Sequence, residues 1–296
     1  MFIGCLELLE KIDVVMCTYN SNTSYFEAVL RRISQEIPVH CFIVVDRLSS
    51  DGTVKRVLKV FPEAKIVLSK ENLGRARGIG IGYVDTPFFV FIDSDVLLLK
   101  GWYEHTNELM KSGVGAVACF AKDAGEFNRE LTYYQPTPRV VVSSKENMNS
   151  QRGWCYATLI RKQAVENWAP DKFLCAGEDH QLLRYVVKQG YLWVTSYFVF
   201  AKHLHIVSSY FDFYLSLWKK QKWNSAGLRY IKLIKSSPSQ QLLRTMRIFL
   251  EAVQNAFLFG NALIIPHYFV YGLASFVGYV NWQKERFLYR ENLCPY

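Results

Sequence analysis

Four short apolar runs separated by helical patterns fill the first hundred residues, and they restrict the chain's fold more than any other feature. The runs are Asp13–Cys17, Cys41–Val45, Lys65–Leu68 and Phe88–Ile92. Between them, Ser24–Gln35, Gly52–Phe61 and Gly74–Val84 have helical spacing. Apolar strands alternating with helices predict βαβ units, because a parallel sheet must be covered on both faces. Ligands of such sheets bind beyond the carboxyl ends of the strands. Here those ends carry Thr18-Tyr19-Asn20, Asp46 and Asp93-Ser94-Asp95, a polar and acidic rim.

Beyond Trp102 the pattern loosens. A helix is expected at about Tyr103–Lys111 and a strand at Gly115–Phe120. The polar stretch Lys122–Arg152 is too long for an ordinary connection and predicts a loop or lid facing a ligand. A helix at Lys162–Trp168 precedes a second one that opens at Gly177-Glu178-Asp179-His180, and a strand is expected at Leu192–Phe200. Tyr210–Ile234 then mixes Trp and Phe with lysines, as interfacial helices do. Ala256–Val280 holds no charged residue over 25 positions, where a membrane-spanning helix needs about 20. Asn261, Pro266 and His267 fall near its middle, and a break at Pro266 would leave two short helices, re-entrant or lying in the interface. The competing reading is a buried helical pair that covers the sheet or makes a dimer.

Charge is unevenly placed. From Lys202 to Arg247 there are nine Lys and Arg against one acid, Asp212, so this block carries +8 of the net +9. It faces something anionic: a lipid headgroup, a nucleic acid or a phosphorylated ligand. The seven cysteines are scattered without metal-type spacing and read as reduced thiols in a cytosolic setting. Met1–Lys11 contains Glu7 and Glu10 and does not read as a signal peptide.

Several residues could carry chemistry. Asp93 and Asp95 bracket one residue at a strand end, where two hard carboxylates can approach Mn²⁺ or Mg²⁺, although isolated pairs of this kind are common. Glu178 and Asp179 begin a helix. They are either favourable partners of its dipole or a general base for a hydroxyl. His203 and His205 lie on one face by alternation and could complete a metal sphere or simply be satisfied structurally. Gly74, Gly78, Gly80 and Gly82 do not make a dinucleotide fingerprint, which belongs on the first strand-to-helix turn; close helix–sheet packing explains most of them.

These pieces together resemble family 2 glycosyltransferases of the GT-A fold. Val14–Asn20 resembles the family's first-strand "TYN" signature, and Val44–Thr53 its "VVDDGSTDGT" segment. Asn72-Leu73-Gly74 with Ala76-Arg77 is similar to its "NxG…ARN" stretch, Phe91–Asp95 to its metal motif, and Gly177-Glu178-Asp179 to its "ED" helix. The spacing of Arg77 and Asp95, eighteen residues, also fits. The chain departs from the pattern at Arg47, where the family often has a second Asp, and at Gly78, where it usually has Asn.

The resemblance implies an α/β fold, a mostly parallel GT-A sheet flanked by helices, over residues 1–207. Residues 208–296 lie outside the resemblance; their basic block and uncharged stretch predict a helical, membrane-associated tail, which would suit a lipid-linked or glycan acceptor. The resemblance further implies an inverting, metal-dependent transfer from a nucleotide-sugar donor (a UDP- or GDP-sugar). Thr18, Tyr19, Asn20, Asp46, Arg77 and Asp93 would bind the nucleotide, and Asp95 with Asp93 and one of His203 or His205 would hold Mn²⁺ or Mg²⁺. Asp179, with Glu178 beside it, would act as base. The expected setting is the cytoplasmic face of an anionic membrane, peripheral or anchored, with no nucleic acid as partner. Two other classes stay open: a sugar-phosphate nucleotidyltransferase, and a non-catalytic membrane or nucleic-acid binding module using the 202–247 block.

Overall fold

The computed structural model describes residues 11–124, 137–172, 174, 176–204, 209–232 and 234–281. The chain divides into two compact units. One comprises Met1–Asp123, Pro136–Asp171 and Asp179–Leu204, the other Ala124–Gln135, Lys172–Glu178 and His205–Tyr296.

The first unit is built on a sheet. Its amino-terminal half follows the βαβ pattern: β1 (Ile12–Thr18), α1 (Phe26–Glu36), β2 (Val39–Asp46), α2 (Thr53–Val60), β3 (Lys65–Leu68), α3 (Leu73–Ile81) and β4 (Phe88–Ile92). Then come β5 (Val96–Leu98), α4 (Trp102–Leu109), β6 (Val114–Asp123), β7 (Val140–Ser143), β8 (Ala157–Arg161), α5 (Glu178–Lys188) and β9 (Leu192–His203). A single 3₁₀ turn at Lys162–Val165 stands where a helix is expected. Among the described residues the nine strands order as β3-β2-β1-β4-β8-β6-β9-β5, with β7 also on β9.

The sheet is evenly mixed rather than mostly parallel, with four parallel and four antiparallel pairings. Every parallel pairing joins strands foreseen from the apolar runs. Every antiparallel one involves β5, β7 or β8, which the sequence pattern did not separate from its surroundings. β5 is only three residues long, and β7 lies within the polar stretch taken for a loop.

Both faces of the sheet are covered, as the apolar strands require. Val14, Met16, Val44 and Val90 pack on one side with Phe26, Val29, Leu30 and Ile33 of α1. Val15, Ile43, Phe89 and Phe91 face the other side with Leu182, Leu183 and Val186 of α5. Helix α3 starts where Asn72 Oδ1 accepts Arg75 N at 3.0 Å, and it lies tight on β1. A Cβ at Gly80 would stand 2.3 Å from Val15 Cγ1, so this glycine is required by packing. Asp13, fully buried at the start of β1, accepts Asp85 N at 2.6 Å and Thr86 N at 3.1 Å and meets His40 Nδ1 at 2.9 Å. Burial opposes its ionisation, but these bonds together hold the carboxyl below its ordinary range.

The second unit holds three helices: α6 (Tyr210–Tyr230), α7 (Pro238–Phe259) and α8 (Ile264–Val280). α7 opens with a capping box between Ser237 and Gln240 and a proline in its first turn. It ends at Gly260, whose φ of 62° takes the left-handed conformation that closes helices. The uncharged stretch is therefore interrupted at Gly260, and Pro266 sits within the first turn of α8, where proline is tolerated. No helix among the described residues is long and apolar enough to cross a membrane. α8 packs on both α6 and α7. A Cβ at Gly278 would come within 2.0 Å of the Lys222 carbonyl oxygen, so α6 and α8 touch backbone to backbone there.

Gly80→Ala is expected to cost about 1–3 kcal/mol of stability through overpacking against Val15, read as a lower urea midpoint. Asp13, with its folded-state pKa depressed, contributes stability above about pH 4, and this is lost as pH falls below it. Asp13→Asn should be less stable at neutral pH, yet should lose less of its stability between pH 5 and pH 3 than the parent in acid denaturation.

Candidate active site

The carboxyl ends of β1, β2 and β4 meet at one edge because the three strands run parallel. Register places Thr18 beside Asp46, and the Thr18 hydroxyl donates to Asp46 Oδ2 at 2.7 Å. Asp46 is fully buried and also accepts Ser49 N at 2.7 Å and Ser49 Oγ at 2.6 Å. The loops after β1 and β2 are laced together: Asn20 N donates to Ser49 Oγ, and Asn20 Oδ1 accepts Ser50 N. Ser94 Oγ donates to Ser21 Oγ at 2.9 Å, tying the end of β4 to the same rim. Tyr19 is half exposed, and the Arg47 guanidinium lies 5.4 Å from its ring centroid. Asn20 and Leu48 adopt φ of 46° and 56°, a left-handed conformation that costs a branched residue such as Leu48 about 1–2 kcal/mol. Strain of this kind gathers where a loop is held for function.

Asp93 and Asp95 leave β4 in different company. Asp93 Oδ1 accepts Arg77 Nη2 at 2.9 Å, and Arg77 is almost fully buried in α3. Asp95 Oδ2 lies 3.0 Å from His203 Nε2. The antiparallel register of β5 on β9 causes this, since it sets Val96 opposite His203 and lets Leu204 N donate to the Asp95 carbonyl. Both side chains keep partial exposure, 26% for Asp95 and 19% for His203. A carboxylate and an imidazole so placed are two groups of the kind that can ligate a divalent cation. Among the described residues no three His, Cys, Asp or Glu side chains gather in one place. His205 lies outside the described residues.

Tyr156 connects these groups, and sequence reasoning passed over it. Pairing of β4 with β8 sets it beside Asp93, whose N–H donates to the Tyr156 carbonyl at 3.0 Å. Its ring stacks on His203 at 5.8 Å and on Trp154 at 5.8 Å, and its hydroxyl accepts Ala121 N at 3.3 Å. Burial pushes its phenol above the ordinary tyrosine range. The run Ala157–Ile160 before Arg161 was the available signal, an apolar strand short enough to be missed.

Glu178 and Asp179 open α5. Glu178 is buried, whereas Asp179 is partly exposed and its Oδ1 accepts His180 N at 2.8 Å. The loop before β8 crosses this helix start closely: a Cβ at Gly153 would lie 2.3 Å from the Asp179 carbonyl oxygen. Gly153 was likewise not singled out in the sequence. Burial, with the neighbouring Arg152 adding to it, holds His180 below the usual imidazole range although Asp179 opposes the shift.

Comparisons with known proteins agree with this architecture. A profile of glycosyl transferase family 2 matches residues 13–168, more than half of the chain. The minor teichoic acid biosynthesis protein GgaB of Bacillus subtilis (strain 168) is 25% identical over 192 residues, 60% of this chain but 21% of GgaB, so the chain spans about a fifth of that relative. In structure the chain is similar to the mannosyltransferase PcManGT from Pyrobaculum calidifontis, solved with GDP-Man and Mn²⁺. That likeness has a TM-score of 0.58 at 14% identity and covers 91% of this chain and 86% of that one. S. aureus TarS 1-349 in complex with UDP-GlcNAc gives 0.53 at 14% identity, covering 93% and 92%. With the family profile matching more than half of its length, the chain belongs to glycosyl transferase family 2, on a mixed α/β sheet of GT-A type.

Proposed function

We propose that this protein transfers a sugar from a nucleotide-diphosphate donor to a hydroxyl or phosphate acceptor with inversion at the anomeric carbon. The Asp95–His203 pair, on the edge where the parallel strands open, is the observation that carries this reading. Tyr19 offers an exposed ring to the nucleoside, and the rim beneath it is held in place by Thr18, Asn20 and Asp46. Arg77, a buried cation paired with Asp93, would help to balance diphosphate charge. Mn²⁺ or Mg²⁺ held by Asp95 and His203, with Asp93 adjacent, would neutralise charge on the departing nucleoside diphosphate. Asp179 accepts the proton of the acceptor hydroxyl as its oxygen bonds to the anomeric carbon and the bond to phosphate breaks. PcManGT was solved with GDP-Man and TarS with UDP-GlcNAc, which supports UDP- or GDP-sugars as donors. A lipid-linked acceptor, a polyprenyl or dolichyl phosphate or a glycan carried on one, suits a protein whose 202–247 block is strongly basic.

A screen of UDP-, GDP- and dTDP-sugars for Mn²⁺-dependent binding and slow hydrolysis tests this. Asp95→Ala should remove the metal dependence, and Asp179→Ala should lower turnover about 10²–10⁴-fold while donor binding persists. Turnover unchanged in both variants would rule the reading out and favour a non-catalytic role. Gly153→Ala, which forces a Cβ into the Asp179 backbone, should cost about 1–3 kcal/mol by denaturant titration and about 10²-fold in turnover.

A further inference from the structure

The most hydrophobic segment of the second unit is not its most exposed one. α8, uncharged throughout, is largely covered, and Ile264, Gly272, Ala274, Gly278 and Tyr279 are buried. α7, which carries Arg244, Arg247 and Glu251, has apolar side chains pointing outward instead. Gln241, Thr245, Ala252 and Ala256 form its buried side. Opposite them run Leu242, Leu243, Met246, Leu250, Val253 and Phe257, all exposed, with Leu243 at 65%, Leu250 at 67% and Phe257 at 86%. At 100° per residue these six fall within an arc of about 100°, the width of an apolar face that is ordinarily turned inward. Six large side chains in one continuous strip are not the scattered exposure found on any soluble surface.

We infer that this face of α7 lies in the interfacial plane of an anionic bilayer, with the helix parallel to the membrane and not across it. Charge selects the occupant. Arg247 borders the strip on one side, with Arg244 farther round the same flank, and the described stretch 209–281 holds eight Lys and Arg against Asp212 and Glu251. An anionic leaflet complements that excess, and basic side chains beside an apolar helix face are the signature of interfacial attachment. A second copy of the chain is the rival occupant, since Leu243, Met246, Leu250, Val253 and Phe257 alternate steps of three and four as in a coiled-coil seam. Such a seam would bring two basic surfaces together. The one acid of α7, Glu251, is already engaged with Arg247 of its own helix at 2.9 Å. The inference stands apart from the transferase reading, because attachment needs neither donor nor metal.

Flotation of the full chain with vesicles of phosphatidylcholine containing phosphatidylserine, against pure phosphatidylcholine, is the test. The expected result is recovery with the anionic vesicles at least tenfold above the neutral ones. Leu243→Glu/Leu250→Glu should reduce it at least tenfold with melting unchanged, as both side chains are exposed. Arg244→Gln/Arg247→Gln should weaken partitioning about 30-fold at low salt, two basic residues being removed from the leaflet. Flotation that is absent, or untouched by Leu243→Glu/Leu250→Glu, overturns the proposal. So does a dimer mass by light scattering that falls to the monomer in that variant, which assigns the strip to a second copy. An environment-sensitive dye on Leu250→Cys should shift only when anionic vesicles are added. A dye already in an apolar setting without vesicles, in a monomer, assigns the strip to the chain's own residues 282–296 and equally overturns the proposal.

Discussion

The placement of β1 between two parallel partners is the constraint from which the site follows. β1 is bonded to β2 along most of its length and to β4 over Asp13–Val15, and both of its faces are buried. Three strands held parallel must end at the same edge, so Thr18, Asp46 and Asp93 emerge together whatever the loops do. The buried Asp13 at the opposite end of β1 fixes the strand against the turn at Asp85 and Thr86, and Gly80 lets α3 close onto Val15. Polar groups so deep are tolerable only because each is hydrogen-bonded.

Antiparallel strands complete what the parallel half begins. β8 beside β4 brings Tyr156 to Asp93, and β5 beside β9 brings His203 to Asp95, a residue more than a hundred positions away in sequence. The two aspartates, separated by one residue, thereby acquire different partners: a buried guanidinium for Asp93 and an imidazole for Asp95. Electrostatically they are no longer equivalent, since Asp93 is engaged by a permanently charged guanidinium and Asp95 by an imidazole.

In the second unit small residues decide which surfaces meet. Gly278 allows α8 to touch the backbone of α6, and Gly272 approaches Phe249 and Thr245 of α7. α8 contacts both other helices, so the most apolar helix is spent on internal packing and α7 presents its leucines outward.

The sequence by itself determined the βαβ half and its polar edge, because apolar runs that alternate with helical spacing admit few other folds. The runs Asp13–Cys17, Cys41–Val45 and Phe88–Ile92 were legible for that reason, and close helix–sheet packing was expected of most of the glycines among which Gly80 falls. It did not reveal β5, β7 and β8, whose pairing depends on residues far along the chain, nor Tyr156 and Gly153, which matter through neighbours that only folding supplies. It offered Pro266 as the place where the uncharged stretch 256–280 would break, whereas Gly260, in the left-handed conformation, is what divides it. Tertiary structure alone decided that Asp95 meets His203 and that α7, not α8, turns an apolar face to the surroundings. Hydrophobicity fixes how much surface a helix must cover, whereas packing geometry fixes which helix is covered.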